Sequence, residues 1–221
     1  MEFLPTYKHI INPKLKNIYL HIDKSGELVI KSPKVSIDRI EKLLISKSKW
    51  IKKAREKVLN KKGNHVFDSD VLTIHFLGKI VNVVLKYSNK NRLDFENEDF
   101  ILEYKDHDKE LFVKTIDVFY KTRAKMLLPI VVDKYAMQMN VTVTKLKFRK
   151  TKTQWGSCNN KNEICLNTSL MKLPRHLIEY IVIHELCHIK HKHHQKSFWD
   201  EVRIFCPNFK EYRVQLKEFS V

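Results

Sequence analysis

Apolar positions along the chain recur at two periods, and the changes from one to the other lay out the fold. Residues 18–22 (Ile-Tyr-Leu-His-Ile) and 27–31 are short strand-like runs on either side of Asp23, Lys24, Ser25 and Gly26. This predicts a β-hairpin, closed by Ser32-Pro33. From Ser36, a candidate helix cap, Ile37, Ile40, Leu43, Leu44, Ile51 and Val58 recur at helical spacing to about Asn60, with a break or bend at Ser46 to Ser48. Trp50 is expected to anchor that helix in a core. Gly63-Asn64 starts another turn. Residues 71–76 and 79–85 predict two strands around Leu77-Gly78, and residues 100–104 a third.

The helical period returns at residue 111 and holds to about Met139. Pro129 is expected to kink or split that helix, and Asn140 to end it. The β-branched content of residues 141–148 predicts a strand. Gln154 to Cys158 form a bend, and residues 164–167 a second short strand. That strand reads equally as an internal one or as a sheet edge that aligns an extended peptide. Pro174 opens a helix whose Leu177, Ile178, Ile181, Val182 and Leu186 are buried. Ser197 is expected to cap the next helix, with Phe198, Trp199, Val202 and Phe205 on its apolar side and Pro207 at its end. Residues 209–219 form a short C-terminal element. The pattern is α+β: a β-rich N-terminal module with one helix over residues 1–107, and a second domain over 108–221. The polar run 106–110 is the expected seam.

A chain of 221 residues can bury a core without staples. Its four cysteines, at 158, 165, 187 and 206, form no close C-x-x-C pair, which excludes a zinc ribbon and fits free thiols in the cytoplasm. The first eleven residues lack the pattern of a signal peptide, and no apolar run approaches eighteen residues, so no membrane partner is expected. The net charge of +17 raises the expectation of an anionic partner. Its lysines are spread along the chain and no nucleic-acid-binding motif accompanies them. The reading is therefore a soluble surface with weak, sequence-independent nucleic-acid contact.

The candidate chemistry lies in His184-Glu185-Leu186-Cys187-His188, an H-E-x-x-H motif inside the apolar helix. Residues four apart share a helix face, so both imidazoles can hold one metal ion, and Glu185 can take a proton from water there. A catalytic zinc site takes three protein ligands. His191 lies seven residues from His184, about 10.5 Å of helical rise, too far for one ion. The chain must turn and bring back His193 or His194, which spacing alone does not separate. The interval ending at His194 matches the metzincin spacing and makes His194 the preferred third ligand. His65, His75 and His107 stand apart from any ligand pattern, and His176 reads as a helix-start residue.

Trp155-Gly156-Ser157-Cys158, residues 164–167, Pro174, residues 180–188 and His194 with Phe198-Trp199 occur in the order found in the YgjP-like metallopeptidases, which this chain resembles. The likeness is strong from about residue 149 to 209. It departs at Gln154, where Arg is common, at His193, where Asn is common, and at Gln195, where Ser is common. The resemblance implies a zincin-like metallopeptidase domain with one zinc ion on His184, His188 and His194, and Glu185 as general base. It implies peptide or protein substrates. Tyr212 and Arg213 are candidate donors to a developing oxyanion. Two other readings compete. One is a nucleic-acid-associated protease similar to the SprT-like proteins. The other is a non-catalytic, metal-stabilised nucleic-acid-binding protein.

Overall fold

A computed structural model describes residues 5–23, 26–59, 66–68, 71–96 and 99–221. Lys24, Ser25, Asn60, Gly63, Asn64, His65 and the turns expected there lie outside the described residues. The chain is mixed α and β, and divides into compact units at Met1–Lys61 and Lys62–Val221.

In the first unit, β1 (Tyr7–Ile11), β2 (Tyr19–Ile22) and β3 (Leu28–Ser32) form a sheet in the order β1-β3-β2. The hairpin of β2 and β3 forms as the pattern predicts; the parallel pairing of β1 with β3 adds a strand that the pattern does not show. Leu28 and Ile30 of the central strand pack with Ile40, Leu44 and Ile51. These last come from α1 (Ile37–Ser46) and α2 (Ser48–Leu59). Ser36 Oγ accepts from the Arg39 N–H at 3.4 Å, as a helix cap does. The break falls at Lys47, whose N–H turns back to the Leu43 carbonyl at 3.0 Å. The break resets the phase, so Ile51 enters the core and Trp50, expected as the anchor, is 45% exposed.

The second unit begins with β4 (Val66–Asp68), β5 (Val71–Phe76), β6 (Lys79–Tyr87), β7 (Arg92–Glu96) and β8 (Asp99–Tyr104), in the sheet order β4-β5-β6-β8-β7. α3 (Lys109–Gln138) lies on this sheet. Phe112, Ile116, Phe119 and Tyr120 of the helix share one core with Leu72, Ile74, Leu93 and Leu102 of the strands. The polar run 106–110 is therefore no seam. Asp108 caps α3, its Oδ1 accepting from the Glu110 N–H at 2.8 Å, and the division of the chain lies at Lys61/Lys62 rather than at 107/108. α3 also runs unbroken through Pro129. Ala124, Leu128, Val132 and Tyr135 are buried on both sides of the proline, and that packing outweighs its missing N–H. Asn140, at φ 50°, ends the turn after the helix.

A small sheet follows, of β9 (Lys145–Arg149), β10 (Gly156–Cys158) and β11 (Glu163–Asn167), in the order β10-β11-β9. The side-chain amide of buried Asn167 donates to the carbonyls of Thr151 and Gln154, at 3.0 and 2.8 Å, and so fixes the loop that leads into β10. A 3₁₀ turn (Thr168–Lys172) leads to α4 (Arg175–Lys190), then α5 (Lys196–Phe205) and α6 (Phe209–Leu216). Ser197 is inside the first turn of α5; the cap position belongs to Gln195, without a side-chain bond. Among the described residues no helix is long and apolar enough to cross a membrane.

The entry of α4 is held by the β5–β6 hairpin. Leu77 and Gly78 have φ of 48° and 84°, as a two-residue primed turn requires. Their N–H groups donate to the carbonyls of Met171 and Lys172 at 2.8 and 3.2 Å. A Cβ on Gly78 would lie 2.6 Å from Cβ of Pro174. Gly78→Ala adds a clash to an unfavourable φ, and is expected to cost about 2 kcal/mol in a denaturant titration. A loss under about 0.5 kcal/mol, the scale of ordinary surface changes, would contradict this role for the turn.

Candidate metal centre

α4 is buried almost all round, yet carries two imidazoles and a carboxylate. His184 and His188, one turn apart, have ring centroids 5.0 Å from each other. The helix ends at His191, whose N–H donates to the Cys187 carbonyl, and the chain turns. That turn brings His194 Nε2 to 3.1 Å from His184 Nε2. One ligand atom from each of His184, His188 and His194 lies within 4.8 Å of the others. His193 is exposed and outside this cluster, while the His191 ring turns away to Glu201. Beneath the cluster, fully buried Phe198 contacts all three imidazoles, with centroid distances of 4.9, 4.6 and 4.8 Å.

The donor set fits a divalent metal ion. Two imidazole nitrogens face each other at 3.1 Å, and a cation between lone pairs suits that approach. His188 Nδ1 donates to the His191 carbonyl at 2.9 Å, which leaves Nε2 with the lone pair. Burial, and then the neighbouring His188 and His194, push His184 down to about 3. Burial also holds His188 below the usual histidine range. Both rings are thus in the neutral form that binds metal. His184 Nδ1 is buried without a hydrogen-bond partner, so packing against Phe198 and Tyr180 sets the plane of that ring.

Glu185 is 6% exposed, and burial pushes its carboxyl up to about 8. Its Oε1 lies against β10. A Cβ on Gly156 would come within 2.7 Å of that oxygen, so only glycine lets the strand approach so closely. β10 is an edge strand of its sheet, as β9 is, whereas β11 pairs on both sides. The strand at 164–167 is therefore internal, and the edge beside the carboxylate belongs to Gly156–Cys158.

Charged groups brace the turn that carries His194. Lys190 Nζ donates to the Met139 carbonyl and to Glu201 Oε1, each at 2.9 Å, and Glu201 Oε2 takes His191 Nε2 at 2.7 Å. Lys192 Nζ donates to Asn162 Oδ1 at 3.0 Å, tying the turn to the loop after β10. Cys158 and Cys165 are free thiols, as are Cys187 and Cys206. His176 bonds Gln215 at 2.9 Å and packs on Tyr212, which occupies both in structural contacts. Arg213 lies over the Trp199 ring, 4.6 Å from its centroid. The sequence offers no reading of Gly156 as a contact for the carboxylate, of Phe198 as a floor or of Glu201 as a brace. The Trp155-Gly156-Ser157 motif marks only the first.

The family described as YgjP-like, metallopeptidase domain, matches residues 16–219. No curated protein matches the chain. Two solved structures are similar over part of it. The metallopeptidase zymogen jannalysin of Methanocaldococcus jannaschii is 23% identical, with a TM-score of 0.34, over 39% of this chain and 93% of its own. The zymogen abylysin of Pyrococcus abyssi is 22% identical, with a TM-score of 0.36, over 43% of this chain and 100% of its own.

The buried carboxyl gives the metal-free protein a pH signature. The folded state holds the Glu185 proton up to about pH 8, whereas the unfolded chain releases it near the ordinary value of 4.5. The contribution of Glu185 to stability therefore falls as pH rises through that window. In the metal-free protein, Glu185→Gln is expected to raise Tm relative to wild type by more at about pH 9 than at about pH 5. Equal differences at the two pH values would show that the carboxylate is not penalised by burial.

Proposed function

The chain belongs to the YgjP-like metallopeptidase family, and from that membership we propose that it is a zinc-dependent peptidase of zincin type, acting on extended peptide segments. One observation carries the finer reading: three imidazoles converge within 4.8 Å on the helix and turn that also hold Glu185, itself against a sheet edge. A single divalent ion on His184, His188 and His194, zinc by the all-imidazole donor set, would supply Lewis acidity and lower the pKa of water.

The other steps rest on side chains and backbone of this chain. As an edge strand beside Glu185, β10 would pair with an extended substrate and lay a peptide bond across the carboxylate. Glu185 Oε1 takes the proton of the attacking water and returns it to the departing amine. Phe198 keeps water from the back of the imidazoles and holds their planes. His191 and Glu201 hold His188 in the tautomer whose Nε2 faces the site. Four free thiols fit a reducing compartment, the cytoplasm.

Glu185→Gln is expected to fold, to keep its zinc stoichiometry and to lose at least about 100-fold in peptide cleavage, the usual scale for a positioned base. Activity within twofold of wild type at matched zinc occupancy would reject the general-base role. His194→Ala is expected to lose zinc in metal analysis, while His193→Ala keeps it. The reverse pattern would move the third ligand to His193.

A further inference from the structure

The cation that lies over Trp199, next to the histidine cluster, has no assigned carboxylate partner. Arg213 and Phe209 lie four residues apart on α6, so both face the same way. Phe209 stacks on Trp199 at 5.4 Å and 17°, and the Arg213 guanidinium lies over the same indole at 4.6 Å. The indole in turn stacks on His194 at 5.6 Å and lies 5.9 Å from His184. A continuous file of rings therefore connects the guanidinium to two of the three imidazoles.

Among the described residues no carboxylate pairs with Arg213. Arg92 and Arg123 lie against Asp94, and Arg203 against Asp200. Glu211, on the same helix as Arg213, accepts from Gln215 at 3.0 Å. Lys190 and Lys192 are engaged by Glu201 and Asn162. A guanidinium held over an indole can turn its N–H groups to a carboxylate in bidentate fashion, and it stays charged at every working pH. The surroundings favour the same ligand. Residues 190–213 hold six Lys and Arg against three Asp and Glu, within a chain of net charge +17. Such a field attracts anionic segments.

We propose that Arg213, held on Trp199, is a carboxylate-recognition subsite, so that the preferred substrates carry Asp or Glu close to the bond that is cut. This deepens the peptidase reading and rests on it for the bond cut, but not for the binding. A guanidinium that meets a carboxylate present before and during reaction stabilises ground and transition states alike. Its loss therefore shows in KM rather than in kcat.

Two measurements test the subsite. The first is binding of acetyl-Gly-Glu-Gly-amide and acetyl-Gly-Gln-Gly-amide to the zinc-loaded protein, followed by tryptophan fluorescence. Wild type is expected to bind the Glu peptide at least about tenfold more tightly, the scale of a charge-assisted pair. That ratio should fall toward one in Arg213→Met and partly recover in Arg213→Lys, with zinc stoichiometry unchanged in both. The second is cleavage of an unbiased peptide library. Wild-type products should be enriched in Asp or Glu near the cut, and Arg213→Met should lose that enrichment through KM. Equal binding of the two capped peptides by wild type would overturn the proposal. So would a fall in kcat at constant KM in Arg213→Met, because that pattern assigns the guanidinium to the transition state. If zinc-loaded wild type cleaves nothing yet binds the Glu peptide through Arg213, the subsite stands and the peptidase reading falls.

Discussion

A carboxylate buried in an apolar helix is the constraint on which the rest of the second unit turns. Glu185 is 6% exposed, and burial pushes its carboxyl up to about 8. Isolated negative charge in such a place costs several kcal/mol unless a cation is near. The same helix supplies the means of placing one, because His184 and His188 share its face and the following turn returns His194. The neutral imidazoles and the destabilised carboxylate are one electrostatic arrangement, each incomplete without positive charge between them. The close approach of β10, possible only at Gly156, puts a peptide backbone where that charge would act.

Rigidity comes to the site from outside the motif. Lys190 ties the end of α4 to the carbonyl that follows α3, and shares Glu201 with His191. The His191 carbonyl in turn orients His188. The C-terminal end of the 30-residue helix, the turn that carries His194 and α5 are thus joined by four polar contacts of 2.7–2.9 Å. At the other end of α4, the Leu77-Gly78 turn fixes where the helix begins. The motif helix is held at both ends, and the positions of its side chains follow.

Periodicity made α3 and α4 legible, because both bury long apolar faces, and the H-E-x-x-H spacing made His184, Glu185 and His188 legible on the second. For the third position the metzincin-type interval, and then the resemblance, point to His194, whereas bare spacing does not separate it from His193; the two differ only in which way an irregular turn points them. What the pattern missed depends on contacts distant in sequence. Alternation shows that residues 164–167 form a strand but not which neighbours pair with it, so its internal position was hidden. Apolar spacing likewise does not say which core a strand joins, and the five-stranded sheet shares its core with α3, across the division that the pattern predicts. Trp50 falls outside the core because one residue, Lys47, interrupts the helix and changes the face that follows.

The three clustered imidazoles fall within eleven consecutive residues, 184–194, and the floor beneath them, Phe198, follows four residues later. Closing so short a segment costs little chain entropy, and the cost grows only slowly with length. The edge strand comes from residues 156–158 and must be brought in across a longer loop. The two halves of the candidate site therefore differ in how local they are in the sequence. The clustered imidazoles need only α4 and the turn after it to lie close together, whereas the edge strand belongs to a sheet built from residues 145–167. The histidine cluster is a local feature of this architecture, and its meeting with the sheet edge is a global one.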